Sequence, residues 1–300
     1  MPHRSRQRLP VVPQEPHGKF PDDISPAKNT RFFGKALDYE IARALEATSQ
    51  NEFEMKIALL SDIHGNLQAL QSCLDDARAQ GATRFVFLGD FVGYGADPHG
   101  VIAVIEEYVA QGAIALRGNH DEATYGKTSY MNEMAMAAID YTKQVLAPTQ
   151  ILFLRNLPMI AHEGSCCFVH ASASAPENYP YIDSPTAALR CADASNAAHT
   201  FCGHVHEQRL YFAAQGSHMK LFQPTPGIAV PVPAHRRWVA LVGSVGQPRD
   251  RNPKAAYAIF DSARLAITFC RVAYDHRAAA ARIRAVGLPA SIAYRVESGI

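Results

Sequence analysis

Residues 55–81 read MKIALLSDIHGNLQALQSCLDDARAQG, and a change of period inside them decides the fold. The apolar run KIALL ends at Ser61 and Asp62. Beyond it Leu67, Leu70 and Leu74 recur at helical spacing, and Gly81 stands where a helix end favours glycine. The rhythm continues with RFVFLGD (84–90) as a strand, HGVIAVIEEYVAQG (99–112) as a helix and AIALRGNHD (113–121) as a third strand. This β-α-β-α-β alternation predicts a layered α/β domain with largely parallel pairing.

The second half changes character. EMAMAAIDYTKQVL (133–146) reads as a helix. The strand-like runs CCFVHAS, HTFCGH, QRLYFAA, MKLFQ, RWVALVGS, AAYAIFD and LAITFCRV then follow one another, which predicts a second, mixed or antiparallel sheet. DHRAAAARIRAVG (275–287) returns to a helix, and no internal repeat occurs. Upstream, residues 1 to about 36 are rich in proline and base and lack periodicity, as a disordered arm would. Leu37, Ile41 and Leu45 suit a short amphipathic helix after it. Residues 1–54 are thus expected to be an extension and 55–300 the folded domain, and a start at Met55 stays open.

Composition narrows the function classes. The 300 residues carry 29 basic against 28 acidic side chains, so no overall positive field points to nucleic acid or an anionic membrane. The six cysteines form no C-x-x-C pair and mostly sit in apolar runs, as reduced core thiols of a cytoplasmic protein would. No run of apolar residues is long enough to span a bilayer, and no signal-peptide core is present.

Chemistry gathers at strand ends. The first strand ends in SDIHGN with Asp62 and His64, the second in LGD with Asp90, and the third in RGNHD with Asn119, His120 and Asp121. Later runs end in FVH with His170 and in CGHVH with His204 and His206. Residues i and i+2 of extended chain point the same way, so the last two imidazoles can converge on one object. Taken singly, a D-x-H or G-D after a strand is usually a turn or a cap. In open α/β sheets, however, ligands bind beyond the carboxyl ends of the strands, and five such ends can deliver these residues to one rim. Mixed carboxylate and imidazole groups suit Mn, Fe or Zn better than Ca.

In this order the blocks Asp62-Ile63-His64, Gly89-Asp90, Gly118-Asn119-His120-Asp121, His170 and Gly203-His204-Val205-His206 resemble the signature of the calcineurin-like metallophosphoesterases, over residues 55 to about 262. The resemblance implies a four-layer α/β/β/α sandwich with two mixed central sheets and the site at their rim. It also implies two divalent metal ions bridged by Asp90, one completed by Asp62, His64 and His206 and the other by Asn119, His170 and His204. In such a centre a metal-bridging hydroxide attacks phosphorus and a histidine protonates the leaving oxygen. His120 takes that role by resemblance, with Asp121 either orienting it or capping a helix.

The substrate side is less uniform. Arg249 lies in GSVGQPRDRNP (243–253), a turn similar to one in bacterial phosphodiesterases and dinucleoside polyphosphatases, and Arg117 precedes the G-N-H-D block. Either arginine can grip phosphate by a planar fork, Arg249 being favoured. In GDFVGYGADP (89–98), Tyr94 replaces the phosphate-clamping arginine of the protein serine/threonine phosphatases, which argues against their mechanism. Tyr94 can stack on a base or pack in a rigid turn. The expected function is hydrolysis of a small, nucleotide-like phosphodiester or phosphomonoester. A non-catalytic phosphate-sensing module and a nuclease are the alternatives, the nuclease disfavoured by the balanced charge and single Trp238. The oligomeric state is left open.

Overall fold

Alternation along β1 (Lys56–Leu60) sends Ile57 and Leu59 to one face and Ala58 and Leu60 to the other, and both faces are buried. A strand buried on both sides needs a layer above and a layer below. The computed structural model describes residues 55–126, 128, 131–214 and 218–300. The extension read at 1–54, with its helix through Leu37, Ile41 and Leu45, lies outside the described residues.

In the first sheet β1 pairs in parallel with β2 (Arg84–Phe87), and β2 with β3 (Ile114–Ala115), as the alternation predicts. The other side of β1 differs from expectation. AAYAIFD and LAITFCRV, read as part of the second sheet, form β11 (Ala255–Asp261) and β12 (Ala266–Val272) of the first. β11 runs antiparallel to β1 with Ala58 opposite Ile259. The reason lies in the edge: β1 paired only with β2 would expose a row of backbone groups, and β11, buried along almost its whole length, covers it. β9 (Ala229–Pro231) closes that side.

The second sheet has the order β4-β5-β6-β10-β7-β8, namely Ile160–Glu163, Cys166–Val169, His199–Cys202, Arg236–Val242, Gln208–Ala214 and Lys220–Phe222. It is mixed, with β5, β6 and β10 parallel and the remaining pairs antiparallel.

Between the sheets Phe168, Phe201, Phe260 and Phe269 are each no more than 2% exposed. Burying one such ring contributes about 1.5–3 kcal/mol before entropy, so the two sheets are held firmly together. Helices α1 (Leu67–Ala79) and α2 (Pro98–Ala110) cover the outer face of the first sheet, with Leu70, Leu74, Ile102 and Ile105 against Leu60, Phe87 and Tyr257. The short α3 (Asn119–Ala123) follows β3; α4 (Glu133–Val145) and α5 (Pro148–Asn156) come next, before α6 (Pro185–Ser195) covers the second sheet through Ala188, Cys191 and Ala192. The expected four-layer sandwich is therefore the fold. A hairpin of α7 (His276–Ala285) and α8 (Ala290–Ser298) packs on α4 and on Tyr94. Among the described residues no helix is long and apolar enough to cross a membrane, and all six cysteines are free and buried.

Candidate metal centre

Parallel pairing aligns the carboxyl ends of β1, β2 and β3, and likewise those of β5 and β6, so the loops after these strands meet at one rim. Asp62 N donates to Gly89 O at 3.0 Å, His64 N to Asp90 O at 2.9 Å, and Gly203 N to His170 O at 2.8 Å. Asp62, His64, Asp90, His204 and His206 all have φ between 50° and 65°. Left-handed backbone costs a residue with a Cβ about 1–3 kcal/mol. Five such residues in one site are maintained by the surrounding hydrogen bonds, and their strain aims the side chains inward.

Two glycines allow the loops to close. A Cβ on Gly118 would overlap Asp90 Oδ1, and one on Gly203 would overlap Ser61 Oγ and stand 2.6 Å from Asp62 Oδ2. Only hydrogen fits at either place.

The seven side chains read as ligands come together. Ligand atoms of Asp62, His64 and His206 lie within 4.8 Å of one another, as do those of Asp90, His170 and His204. Asp90 Oδ2 stands between the groups, 3.8 Å from His64 Nε2 and 3.4 Å from His170 Nε2. Asn119 Oδ1 is 3.3 Å from His170 Nε2. His120 also comes within 4.8 Å of His64 and Asp90, but its ring is fixed differently.

That difference is in the hydrogen bonds. Nδ1 of His64, His170 and His206 meets the carbonyls of Val92, Leu88 and Gln247 at 3.0, 2.7 and 2.7 Å. A carbonyl only accepts, so each Nδ1 carries a proton and each Nε2 faces inward, open to a cation once its ring is neutral, the usual arrangement of a metal-bound histidine. Nε2 of His64 and of His206 are 3.1 Å apart, two acceptors face to face. Each aspartate likewise spends one oxygen on the backbone: Asp62 Oδ2 accepts from His204 N at 2.9 Å and Asp90 Oδ1 from His120 N at 2.8 Å. The buried His204 Nε2 has no hydrogen bond, and Asp62 Oδ1 meets His206 Nε2, 3.2 Å away. Converging ring nitrogens and carboxylate oxygens fit divalent cations, and the mixed O and N donors fit borderline metals.

Charges agree with this. Burial opposes ionisation, yet His206 beside Asp62 and His170 beside Asp90 hold both carboxyls well below the usual range. Burial and neighbouring imidazoles keep His64 well below its ordinary value and His204 at about 3. Burial also pulls on His170, but the Asp90 carboxylate raises it to about 9.

The remaining residues divide. Asp121 does not touch the His120 ring; its carboxylate accepts from the amides of Asp90, Phe91 and Gly118 at 2.8, 2.9 and 2.9 Å and from Val92 at 3.3 Å. Arg117 turns away, to Tyr125 Oη at 3.0 Å and the Arg155 carbonyl at 3.3 Å. Tyr94 is buried, its ring packed against His64 and His120 with centroids 4.8 and 4.7 Å away, which leaves it the role of a wall. Arg249 does reach the cavity of about 220 Å³ above the centre, which His120, Tyr94, Asn132, Tyr181 and Arg295 also line. The last three were not anticipated. Tyr181, 55% exposed, stacks on His204 with centroids 4.2 Å apart.

Residues 55–264 match the calcineurin-like phosphoesterase superfamily domain. An uncharacterised protein of Methanocaldococcus jannaschii is 32% identical over 251 residues, 81% of this chain and 98% of its own. A metallophosphoesterase from Sphaerobacter thermophilus has 33% identity and a TM-score of 0.72, over 82% of this chain and 100% of that one. A hypothetical protein of Pyrococcus horikoshii shares the fold at 21% identity and a TM-score of 0.63, over 82% and 98%.

Proposed function

Because the chain belongs to the calcineurin-like phosphoesterase superfamily, we propose that it hydrolyses a small phosphodiester or phosphomonoester with two divalent cations. Asp62, His64 and His206 would hold one ion and Asn119, His170 and His204 the other, with Asp90 available to both. The observation that carries this reading is the set of inward-facing Nε2 atoms fixed by the Val92, Leu88 and Gln247 carbonyls. Two such cations would neutralise charge on phosphoryl oxygens and lower the pKa of a bound water toward neutrality.

The chain's own groups do the rest. A Cβ on Gly93 would fall against Nδ1 of His120, so that nitrogen faces the loop and Nε2 is left to the cavity. Burial holds this imidazole at about 4. An anionic phosphoryl group entering the cavity raises its proton affinity, which prepares Nε2 to protonate the departing oxygen. Arg249, whose Nε is buried without a partner, gives the cavity a positive wall that favours an anionic substrate. The cavity of about 220 Å³ is smaller than sites that enclose a drug-sized ligand, so the phosphoryl end enters and the leaving part lies across the mouth, beside Tyr181. Six buried thiols support a place in the reducing cytoplasm.

The test is hydrolysis of a chromogenic diester and a chromogenic monoester by chelator-stripped protein, before and after Mn is restored, with bound metal counted. Turnover that returns with about two ions per chain is expected. Two bound ions with neither ester cleaved would favour the sensing module instead.

A further inference from the structure

The match to the family domain ends at residue 264, but the wall of the cavity does not. Helix α8 lies beyond that boundary and sets Arg295 in the same cavity lining as Arg249. The helix is firmly placed. Ile292, Ala293 and Val296 are buried in one cluster with Tyr94 and with Ala279 and Ile283 of α7. Arg282 of α7 donates through Nε to both oxygens of Asp97, at 3.0 and 2.8 Å. Arg251 N donates to Gly299 O at 2.6 Å, which ties the end of α8 to the loop that carries Arg249.

Both arginines are half-buried, and no carboxylate among the described residues pairs with either. Arg249 gives one bond, from Nη2 to Gln247 Oε1 at 3.2 Å, and keeps a buried Nε without a partner. Both charges also act on the Tyr94 hydroxyl, which burial pushes upward and the arginines pull back. The sole carboxylate in the lining is Asp90, at the metal centre. Two unneutralised arginines in one partly desolvated wall repel each other unless an anion joins them.

The charge of that anion follows from the centre. Two divalent cations against Asp62, Asp90 and a hydroxide would leave a surplus of about one positive charge, less than one phosphoryl dianion carries. The arginines add about two more, enough for the rest of that charge and for a second phosphoryl group.

We propose that Arg249 and Arg295 together bind a second phosphoryl group beside the one at the metal centre, so that preferred substrates carry two phosphoryl groups in succession. This rests on the phosphoesterase reading above and narrows its substrate class to phosphoanhydride-bearing molecules.

The experiment measures binding of inorganic phosphate and inorganic pyrophosphate to the Mn-loaded full chain by calorimetry, at fixed free Mn, for the natural protein, Arg295→Gln and Arg295→Lys. Pyrophosphate should bind the natural protein at least about tenfold more tightly than phosphate, and Arg295→Gln should cut that ratio about tenfold or more. Arg295→Lys keeps the charge without the fork and should retain part of the ratio. It carries the test if thermal unfolding shows the Gln variant to be misfolded. No preference in the natural protein, or a variant that weakens both anions by one factor, overturns the second phosphoryl site and leaves the phosphoesterase reading standing. Failure of both anions to bind the Mn-loaded protein overturns that reading and this one with it.

Discussion

Asp121→Asn changes an oxygen to an amide nitrogen with almost no change of shape, so it isolates what the carboxylate does. Oδ2 accepts from Asp90 N and Gly118 N at 2.8 and 2.9 Å, and Oδ1 from Phe91 N and Val92 N at 2.9 and 3.3 Å. Whichever way the amide turns, its NH2 confronts two backbone donors at a fully buried position. Each stranded buried donor costs about 1–3 kcal/mol. Taking the lower half of that range, since the loop relaxes and the two losses are coupled, gives about 2–4 kcal/mol. The damage falls on the segments that carry Asp90 and Asn119, so Mn affinity should drop about 10- to 100-fold as well. Urea unfolding of metal-free protein, followed by the fluorescence of Trp238 in the inter-sheet core, reads the first effect. A Mn titration of folded protein reads the second. Stability within about 0.5 kcal/mol of the natural protein and an unchanged Mn affinity would refute the bracing role and return Asp121 to the orientation of His120.

Three further outcomes are expected. His120→Asn should keep both metals and lose about 10²- to 10⁴-fold in turnover, with the larger loss for esters of poorer leaving groups; equal losses across a leaving-group series would count against a proton donor. Gly203→Ala, whose new Cβ meets Ser61 and Asp62, should cost about 1–3 kcal/mol in unfolding experiments and impair metal binding, and a variant of natural stability would show that the loops yield. Asp90 raises His170 to about 9 against the pull of burial, so below that pH a cation must displace a proton from the imidazole. Mn affinity should therefore climb between pH 6 and 8.5, by up to about tenfold per unit for one proton, and a flat profile in titrations would remove His170 as the linked group.

The site was more legible in the sequence than the sheets were. Asp62, Asp90 and His204 are readable because each stands one small residue past an apolar run, and parallel strands with a common direction have no choice but to end at one rim. Pairing between distant strands leaves no such local mark. β11 reads as a strand, but its partner β1 lies almost the whole domain away, and only the need to cover that edge selects it. Short edge strands such as β4 and β9 show little alternation, and Pro231 in β9 argues locally against a strand. Helix α6 was not anticipated, although Ser184 caps it and Pro185 stands in its first turn. Arg295 carried no chemical signal at all. The spacing of Ile292 and Val296 marks a helix face, but what lies across from that face is decided by packing on Tyr94, two hundred residues upstream.

The candidate ligands come from both sheets: Asp62, His64, Asp90 and Asn119 follow strands of the first, while His170, His204 and His206 follow strands of the second. A cation held among them is therefore a clasp across the sandwich, and opening the sandwich must release it. Affinity for the metal then adds directly to resistance against heat, by about 1.4 kcal/mol for each tenfold excess of free ion over its dissociation constant. The melting temperature becomes a gauge of metal preference. A series of melts with Mn, Fe and Zn would rank the ions for this protein before any substrate is in hand.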